Sequence, residues 1–249
     1  MDSDAVELKG QVCMVTGGGR GIGRAIVLAL AGAGAKVAAV ARSEDQLVET
    51  ASLAPQGSVH TFPGDVSSRA DVERIADEVE AQIGTVDLLV NNAGVHGPLG
   101  PIWELDPEEW WSCLEINLKG AMMFSTVVLK GMVDRNRGRI IIVYSGAGLR
   151  PFLFLSAYCN SKAAMIRLTE QTAWETKEYG ISVFSMGPGI DSLKATAYPL
   201  LSSANNRDSI GLPSKATSRQ CQTQPNNHVR PQEHLPFGSY WAGRPPFAS

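Results

Sequence analysis

Tyr158 and Lys162 are the residues of this 249-residue chain whose types and spacing offer the most chemistry. They lie four positions apart in a stretch that predicts the start of a helix, so their side chains share one face. An ammonium group beside a phenol favours the phenolate and lowers a phenol pKa that is otherwise about 10. The pair therefore predicts a proton donor and acceptor near neutral pH. Taken alone it is weak support, because Tyr and Lys share helix faces by chance.

A glycine-rich turn lies between a predicted strand at residues 12–15 and a helical pattern at residues 24–33. It runs from Thr16 to Gly23 as Thr-Gly-Gly-Gly-Arg-Gly-Ile-Gly. Glycines let the backbone turn tightly and approach phosphates, and the following helix N-terminus offers N–H groups and a partial positive charge. The turn predicts a site for the pyrophosphate of a dinucleotide, with an ordinary surface loop as the alternative.

The turn after the second predicted strand, residues 36–40, bears on the choice of dinucleotide. An acidic residue there would bind the ribose 2′-hydroxyl of NAD, whereas an arginine accommodates the 2′-phosphate of NADP. Ala41 is neutral and Arg42 is basic, and Arg20 in the glycine turn is a second candidate for the phosphate. We therefore expect NADP(H) rather than NAD(H). The alternative is that both arginines are solvated surface charges.

Further motifs follow in an order that resembles the short-chain dehydrogenase/reductase family over roughly residues 8–190. Ser145 ends an apolar run and lies thirteen positions before Tyr158, as the serine of that family does. The other matching motifs are the glycine turn, Asp65-Val66, Asn91-Asn92-Ala93-Gly94, Asn117 and Pro188-Gly189. Together they make chance an inadequate explanation.

The resemblance implies a catalytic tetrad of Asn117, Ser145, Tyr158 and Lys162. Ser145 would bind the oxygen of a carbonyl or secondary alcohol substrate, and Tyr158 would exchange a proton with that oxygen. Lys162 would assist the phenol and hold the nicotinamide ribose, while Asn117 would position a water that links Lys162 to solvent. The implied reaction is hydride transfer between NADP(H) and a small-molecule carbonyl or alcohol.

The resemblance also implies a cofactor site and an assembly. Family members commonly dimerise through the long helices that here carry Asn117 and Tyr158, so a homodimer is expected. The implied cofactor-binding residues are Gly17, Gly19, Arg20, Gly21, Ile22, Gly23, Arg42, Asp65, Val66, Asn91, Ala93, Gly94, Tyr158, Lys162, Pro188, Gly189 and Ile190.

Strand and helix patterns alternate from residue 8 to residue 190, which predicts one α/β domain. We expect a Rossmann-type, doubly wound parallel sheet with helices on both faces. The predicted strands are residues 12–15, 36–40, 59–62, 86–90, 140–143 and 181–186. The predicted helices are residues 24–33, 44–53, 69–83, 107–134 and a last one that carries Tyr158 and ends near residue 179.

Residues 191–249 depart from this pattern and predict an irregular or disordered tail. The segment holds seven of the fourteen prolines and is rich in Ser, Asn and Gln. Such a composition buries too little apolar surface to offset the entropy of ordering. The substrate-covering segment and last strand of the family are not recognisable here. The alternative function is therefore a catalytically weak or inactive cofactor-binding protein.

Composition argues against other classes of protein. The net charge of −3 and the lack of a basic run argue against nucleic acid as a partner. We found no long uninterrupted apolar stretch and no secretory pattern at the N-terminus, so a cytoplasmic protein without a membrane partner is expected. The four cysteines and four histidines show no metal-ligand spacing. His96 follows Gly94, and we favour a solvated loop histidine over an active-site position.

Overall fold

The computed structural model describes residues 7–188. Within them six strands form one sheet in which every pair is parallel, in the order β3-β2-β1-β4-β5-β6. This order is that of a Rossmann-type sheet, which confirms the predicted fold class. The tail and the predicted cofactor residues Gly189 and Ile190 lie outside the described residues. The strands are β1 Val12–Thr16, β2 Lys36–Ala41, β3 Val59–Pro63, β4 Leu88–Asn91, β5 Gly138–Val143 and β6 Ile181–Met186.

The helices connect successive strands as predicted, with small differences at their ends. They are α1 Gly21–Gly32, α2 Glu44–Ser52, α3 Arg69–Gln82, α4 Pro107–Leu114, α5 Gly120–Asp134 and α6 Ser156–Thr176. The single helix predicted at residues 107–134 is divided into α4 and α5 by a π-helical turn, Glu115–Lys119. Single π-helical turns inside α-helices are frequent at functional sites. Asn117 lies in the middle of this one.

Side-chain caps explain where three of the helices begin. Ser43 caps α2 and Ser68 caps α3, each accepting a hydrogen bond from a backbone N–H in the first turn. Asp106 does the same for α4, which has proline in its first turn. Each cap satisfies N–H groups that have no partner within the helix, and a cap of this kind stabilises a helix by about 1 kcal/mol.

Alternation along the strands creates a core on each side of the sheet. In β1, Met14 packs on the side of α3 and α5, whereas Cys13 and Val15 pack on the side of α1 and α2. Successive side chains of a strand point to opposite faces, so both layers of helices are needed to bury this strand. The prediction of helices on both faces is confirmed.

Among the described residues, one helical run has the length and apolar character of a membrane span. It is Pro107–Asp134, with a mean hydropathy of 1.2 in its most apolar window. A buried core helix meets the same criteria of length and composition, so the expectation that no segment spans a membrane stays a prediction. Phe124 and Met132 of this run are completely buried in the core on one side of the sheet. Packing of a core helix accounts for their apolar character.

Candidate active site

Strand topology brings the predicted site residues to one edge of the sheet. Thr16 is the last residue of β1, Asn91 is the last residue of β4, and Ser145 follows the end of β5 by two positions. The strands are parallel, so these carboxyl ends lie side by side. The order of strands reverses between β1 and β4, which is where ligands bind in sheets of this type.

Two glycines of the predicted phosphate-binding turn are required by close backbone packing. A Cβ atom at Gly23 would overlap the carbonyl oxygen of Gly17. Gly17 has a φ of +69°, and a Cβ there would lie 2.8 Å from Nδ2 of Asn92. Helix α1 begins at Gly21 with no side-chain cap from Arg20. The N–H groups of its first turn and the bare glycine backbone form a cradle that fits a pyrophosphate.

The glycine turn is stabilised by hydrogen bonds from residues to which the sequence alone assigned no role. The carbonyl oxygen of Gly19 accepts hydrogen bonds from Nε and Nη2 of Arg24, at 3.1 and 2.8 Å. The hydroxyl of buried Thr50 lies 3.1 Å from the same oxygen. Arg24 also pairs with Glu49 at 2.6 Å. No local pattern predicts these contacts, because α2 follows α1 only after an intervening strand.

Thr16 and Asn92 join the glycine turn to the segment after β4. The hydroxyl oxygen of Thr16 accepts hydrogen bonds from the backbone N–H groups of Asn92 and Ala93, at 3.0 and 3.1 Å. Nδ2 of Asn92 donates to the carbonyl oxygen of Thr16 at 2.9 Å. The two ends of the predicted cofactor cleft are thereby fixed to each other.

The side chain of Asn91 lies away from the cleft. It is 2% exposed, and its Nδ2 donates to Ser125 Oγ at 3.0 Å and to the carbonyl oxygen of Ala121 at 3.3 Å. Both partners belong to α5. The side chain therefore ties β4 to α5, and any contact of Asn91 with a cofactor has to come from its backbone.

Asn117 holds the backbone that follows Gly94. Its Oδ1 accepts from the N–H of Val95 at 2.8 Å, and its Nδ2 donates to the carbonyl oxygen of Val95 at 2.9 Å. Nδ2 also lies 2.9 Å from Ser161 Oγ, and that hydroxyl donates to the carbonyl oxygen of Tyr158. The π-helical turn thus links the segment after β4 to the helix that carries Tyr158.

Lys162 is buried beside Tyr158, as the helical spacing predicted. Lys162 is 4% exposed, and its Nζ lies 5.7 Å from the centroid of the Tyr158 ring. Nζ donates to the carbonyl oxygen of Val143 at 2.9 Å, and a Cβ at Gly94 would lie 3.6 Å from it. Burial lowers the pKa of Lys162 to about 8. A cation is therefore held between the end of β5, Gly94 and the phenol.

A short turn after β5 begins at Ser145 and packs on the backbone of Lys162. Ser145 Oγ accepts a hydrogen bond from the N–H of Ala147 at 3.2 Å and caps the 3₁₀ turn Gly146–Gly148. A Cβ at Gly148 would lie 2.7 Å from the carbonyl group of Lys162, so this turn packs directly on α6.

His96 is nearer to the predicted chemistry than we expected. Its ring centroid lies 4.7 Å from that of Tyr158, with an angle of 38° between the rings. Burial, and secondly the charge of Lys162, lower the pKa of His96. The residue keeps substantial exposure, as expected of a loop histidine, but its position beside Tyr158 is the one we had not favoured. The sequence feature that could have indicated this position is its place two residues after Gly94.

The remaining predicted cofactor residues line different parts of the same edge. Arg20 and Arg42 are exposed, and neither has an ion pair with a described residue. Asp65 Oδ1 accepts hydrogen bonds from the backbone and hydroxyl of Ser67, at 2.9 and 2.7 Å. Val66 is buried against Gly120, and a Cβ atom at Gly120 would lie 3.0 Å from the carbonyl oxygen of Val66. Ile22 and Pro188 are half-buried.

Metal-binding groups of three or more His, Cys, Asp or Glu side chains are absent from the described residues. The three cysteines among these residues, Cys13, Cys113 and Cys159, are free. Burial raises the pKa of Cys13 to about 12 and also raises that of Cys113. Both thiols therefore resist ionisation, as expected of packing residues.

Comparison with known proteins identifies the family. The family described as short chain dehydrogenase matches residues 11–197. The chain belongs to this family. Its members are oxidoreductases that use pyridine nucleotides, which agrees with the glycine cradle and with the resemblance seen in the motifs.

Several relatives are enzymes with different named substrates. The chain is 36% identical to 2,3-dihydro-2,3-dihydroxybenzoate dehydrogenase of Bacillus subtilis, over 75% of this chain and 72% of that protein. It is 34% identical to 2-(S)-hydroxypropyl-CoM dehydrogenase 3 of Xanthobacter autotrophicus, over 79% and 77%. A short chain dehydrogenase of Pseudocercospora fijiensis is 37% identical, but the match spans only 60% of its length.

Solved structures show the same fold. An NAD⁺-bound xylitol dehydrogenase has a TM-score of 0.70 and 33% identity, over 73% of this chain and 70% of that one. Levodione reductase has a TM-score of 0.69 and 32% identity, over 72% and 71%. These values agree with the sheet order described above.

Proposed function

We propose that this chain transfers a hydride between NADP(H) and a carbonyl or secondary alcohol, with Tyr158 as the general acid and base. The observation that carries the proposal is the buried ammonium of Lys162, 5.7 Å from the centroid of the Tyr158 ring. A nearby cation favours the deprotonated form of a phenol. The phenol oxygen then gives a proton to a carbonyl oxygen in reduction and takes one from an alcohol in oxidation.

Ser145 is proposed to orient the reacting oxygen. Its Oγ accepts a hydrogen bond from Ala147, and among the described residues its own hydrogen has no acceptor. This hydrogen can therefore be donated to a substrate oxygen beside Tyr158. Such a bond strengthens as negative charge develops on that oxygen.

Asn117 and Lys162 are proposed to support the site. Asn117 fixes the segment after Gly94 through its two bonds with Val95. Lys162 is proposed to hold the ribose hydroxyls of the nicotinamide nucleotide and to exchange protons with solvent through a water positioned by Asn117. The shared location of these groups at the carboxyl ends of β4 and β5 supports this arrangement.

A pyridine nucleotide supplies the hydride when it is bound. The bare backbone of Gly17 and Gly23 and the first turn of α1 are proposed to hold its pyrophosphate. Arg20 within this turn and Arg42 after β2 are both exposed, which supports NADP(H) as the preferred form. Michaelis constants for NADPH and NADH test the preference, and a lower constant for NADH contradicts it.

Tyr158→Phe tests the catalytic assignment. The variant keeps the ring and its contact with His96 but lacks the proton. We expect NADPH binding, followed by fluorescence titration, to remain within about twofold of wild type, and turnover to fall at least about 100-fold. Tyr179→Phe, at an exposed position after α6, is the matched control. Near-normal turnover by Tyr158→Phe contradicts the proposal.

The same measurements distinguish the alternative function. A catalytically weak cofactor-binding protein binds NADPH in the titration yet turns over no carbonyl in a substrate screen. That alternative was motivated by residues 191–249, which lie outside the described residues. The cytoplasmic location also stays a prediction.

We further propose a homodimer formed through the helices that carry Asn117 and Tyr158. Large apolar side chains on these helices support it, because Trp111 of α4 is 58% exposed and Trp174 of α6 is 70% exposed. Light scattering of the purified protein tests this. A molar mass equal to that of one chain at micromolar concentration contradicts it.

A further inference from the structure

Strand β6 lies at the end of the sheet and has an open backbone edge. Among the described strands it pairs only with β5, in parallel. The carbonyl oxygen of Met186 accepts a hydrogen bond from the N–H of Tyr144, which follows β5. The N–H and C=O of one strand residue point to the same side, and that side alternates along the strand. The backbone groups of Ile181, Val183 and Ser185 therefore face away from β5.

One face of β6 is uncovered beside this edge. Ile181 and Val183 are buried in the core on the side of α6, which packs on this strand. Phe184 is 56% exposed and Met186 is 39% exposed. Alternation places these two side chains on the opposite face. Phe184 is aligned with the partly buried Ile141 of β5, so an apolar strip reaches the edge of the sheet. Exposed apolar surface of this kind is typical of an interaction site.

The other edge strand, β3, is protected in ways that β6 is not. It has no exposed residue and ends in Pro63, whose nitrogen cannot donate to a further strand. Strand β6 has the sequence Ile-Ser-Val-Phe-Ser-Met, and four of its six residues are exposed. It contains neither proline nor a charged residue, the features that commonly prevent edge strands from pairing. This edge is therefore suited to accept another strand.

We propose that β6 pairs antiparallel with β6 of a second copy of this chain, so that two sheets become continuous. A two-fold axis at Phe184 places the two phenylalanines opposite each other in a non-hydrogen-bonded pair, where side chains approach most closely. Val183 of each copy then faces Ser185 of the other, and their outward N–H and C=O groups exchange hydrogen bonds. Opposed aromatic side chains stabilise such a pair, and no like charges meet because the strand is uncharged.

A second copy fits this edge better than the chain's own continuation does. Residues 191–249 hold seven of the fourteen prolines, and each proline removes a donor from a strand. Pairing of two identical strands also satisfies both open edges at once. The interface is separate from the helix interface proposed above, and it does not rest on the proposed function.

A charge exchange at Phe184 tests the pairing with the full chain. Phe184→Lys and Phe184→Glu each place two like charges opposite one another across the two-fold axis. Each variant alone should have a molar mass about twofold lower than wild type in light scattering, because one isologous interface is lost. An equimolar mixture of the two variants should recover the wild-type mass, because opposite charges then face each other. Ser185→Pro removes an outward N–H and should also lower the mass about twofold.

Leu53 provides the matched control, because it follows α2 and is 59% exposed. Leu53→Lys and Leu53→Glu should keep the wild-type mass, alone and mixed. As a second measurement, Phe184→Cys should form a disulfide between chains under mild oxidation, and Leu53→Cys should not.

A wild-type mass in all three β6 variants, a mixture that fails to recover it, or no disulfide at position 184 would each overturn the inference. Circular dichroism establishes that each variant is folded. None of these measurements uses turnover, so their failure leaves the proposed function intact.

Discussion

The side-chain amide of Asn117 pairs with the backbone of Val95 as a neighbouring strand would. It accepts from the Val95 N–H at 2.8 Å and donates to the Val95 carbonyl oxygen at 2.9 Å. Asn117 is completely buried and lies in the π-helical turn between α4 and α5. A local irregularity in one helix thus fixes the backbone that separates Gly94 from His96.

Asn117→Asp should destabilise the protein and impair turnover. The carboxylate can still accept from the Val95 N–H, but its second oxygen faces the Val95 carbonyl oxygen with no proton between them. We expect a loss of about 2 kcal/mol in the free energy of unfolding, measured with urea. Asn160→Asp, at an exposed position of α6, should change it by less than about 0.5 kcal/mol. Equal effects of the two variants would show that the pairing with Val95 contributes little.

Gly23→Ala should abolish tight cofactor binding. The added methyl group overlaps the Gly17 carbonyl oxygen, a backbone atom that cannot move without opening the turn. We expect a loss of stability of about 2 kcal/mol or more and at least a 10-fold weaker Kd for NADPH. Gly32→Ala, at the other end of α1, meets nothing within 4 Å and should be neutral or slightly stabilising. Calorimetric melting and fluorescence titration measure both effects, and unchanged binding by Gly23→Ala would contradict the close-packing argument.

Lys162→Met should stabilise the protein at neutral pH while removing activity. The folded-state pKa of about 8 lies below the ordinary value of 10.5, so folding disfavours the protonated amine at neutral pH. Removing this penalty contributes about 3 kcal/mol, from which the lost bond to the Val143 carbonyl oxygen subtracts about 1 kcal/mol. A net gain of about 2 kcal/mol at pH 7 is expected.

The sign of the pH dependence provides an independent measurement of the same group. Between pH 8 and 10.5 the unfolded chain binds more protons at Lys162 than the folded one, so this residue makes stability rise with pH in that window. The rise should disappear in Lys162→Met and remain in Lys130→Met, which changes an exposed lysine of α5. Identical urea midpoints against pH for the two variants would contradict the assignment.

Arg24→Met should weaken cofactor binding without a comparable effect on kcat. Arg24 is a positioning residue, because it donates two hydrogen bonds to the carbonyl oxygen of Gly19 in the phosphate-binding turn. We expect the KM for NADPH to rise about 5- to 10-fold with kcat within about twofold. Glu49→Gln removes the ion pair but leaves those bonds. Glu49 is 60% exposed, so this control should have little effect. A larger effect of Glu49→Gln would show that the ion pair, not the bonds to Gly19, holds the turn.

Most of the fold could be predicted from the periodicity of apolar residues and from the order of the motifs. The alternation of strand and helix patterns predicted all six strands to within two residues at each end, because side chains repeat every two or 3.6 residues in these elements. The division of residues 107–134 by a π-helical turn was not predicted, since its sequence Glu-Ile-Asn-Leu-Lys has ordinary helical character. The apolar character of the same run is explained by its packing in the core on one side of the sheet.

The sequence by itself determined that Tyr158 and Lys162 share a face, because four residues make about one helical turn. It also determined that a glycine turn lies between a strand and a helix. Only the tertiary structure decided that Asn117 binds Val95, that Arg24 supports Gly19 and that His96 contacts Tyr158. Those contacts join segments separated by strands and loops. Their geometry depends on how the parallel strands align and how the helices pack on them, and local spacing carries no information about either.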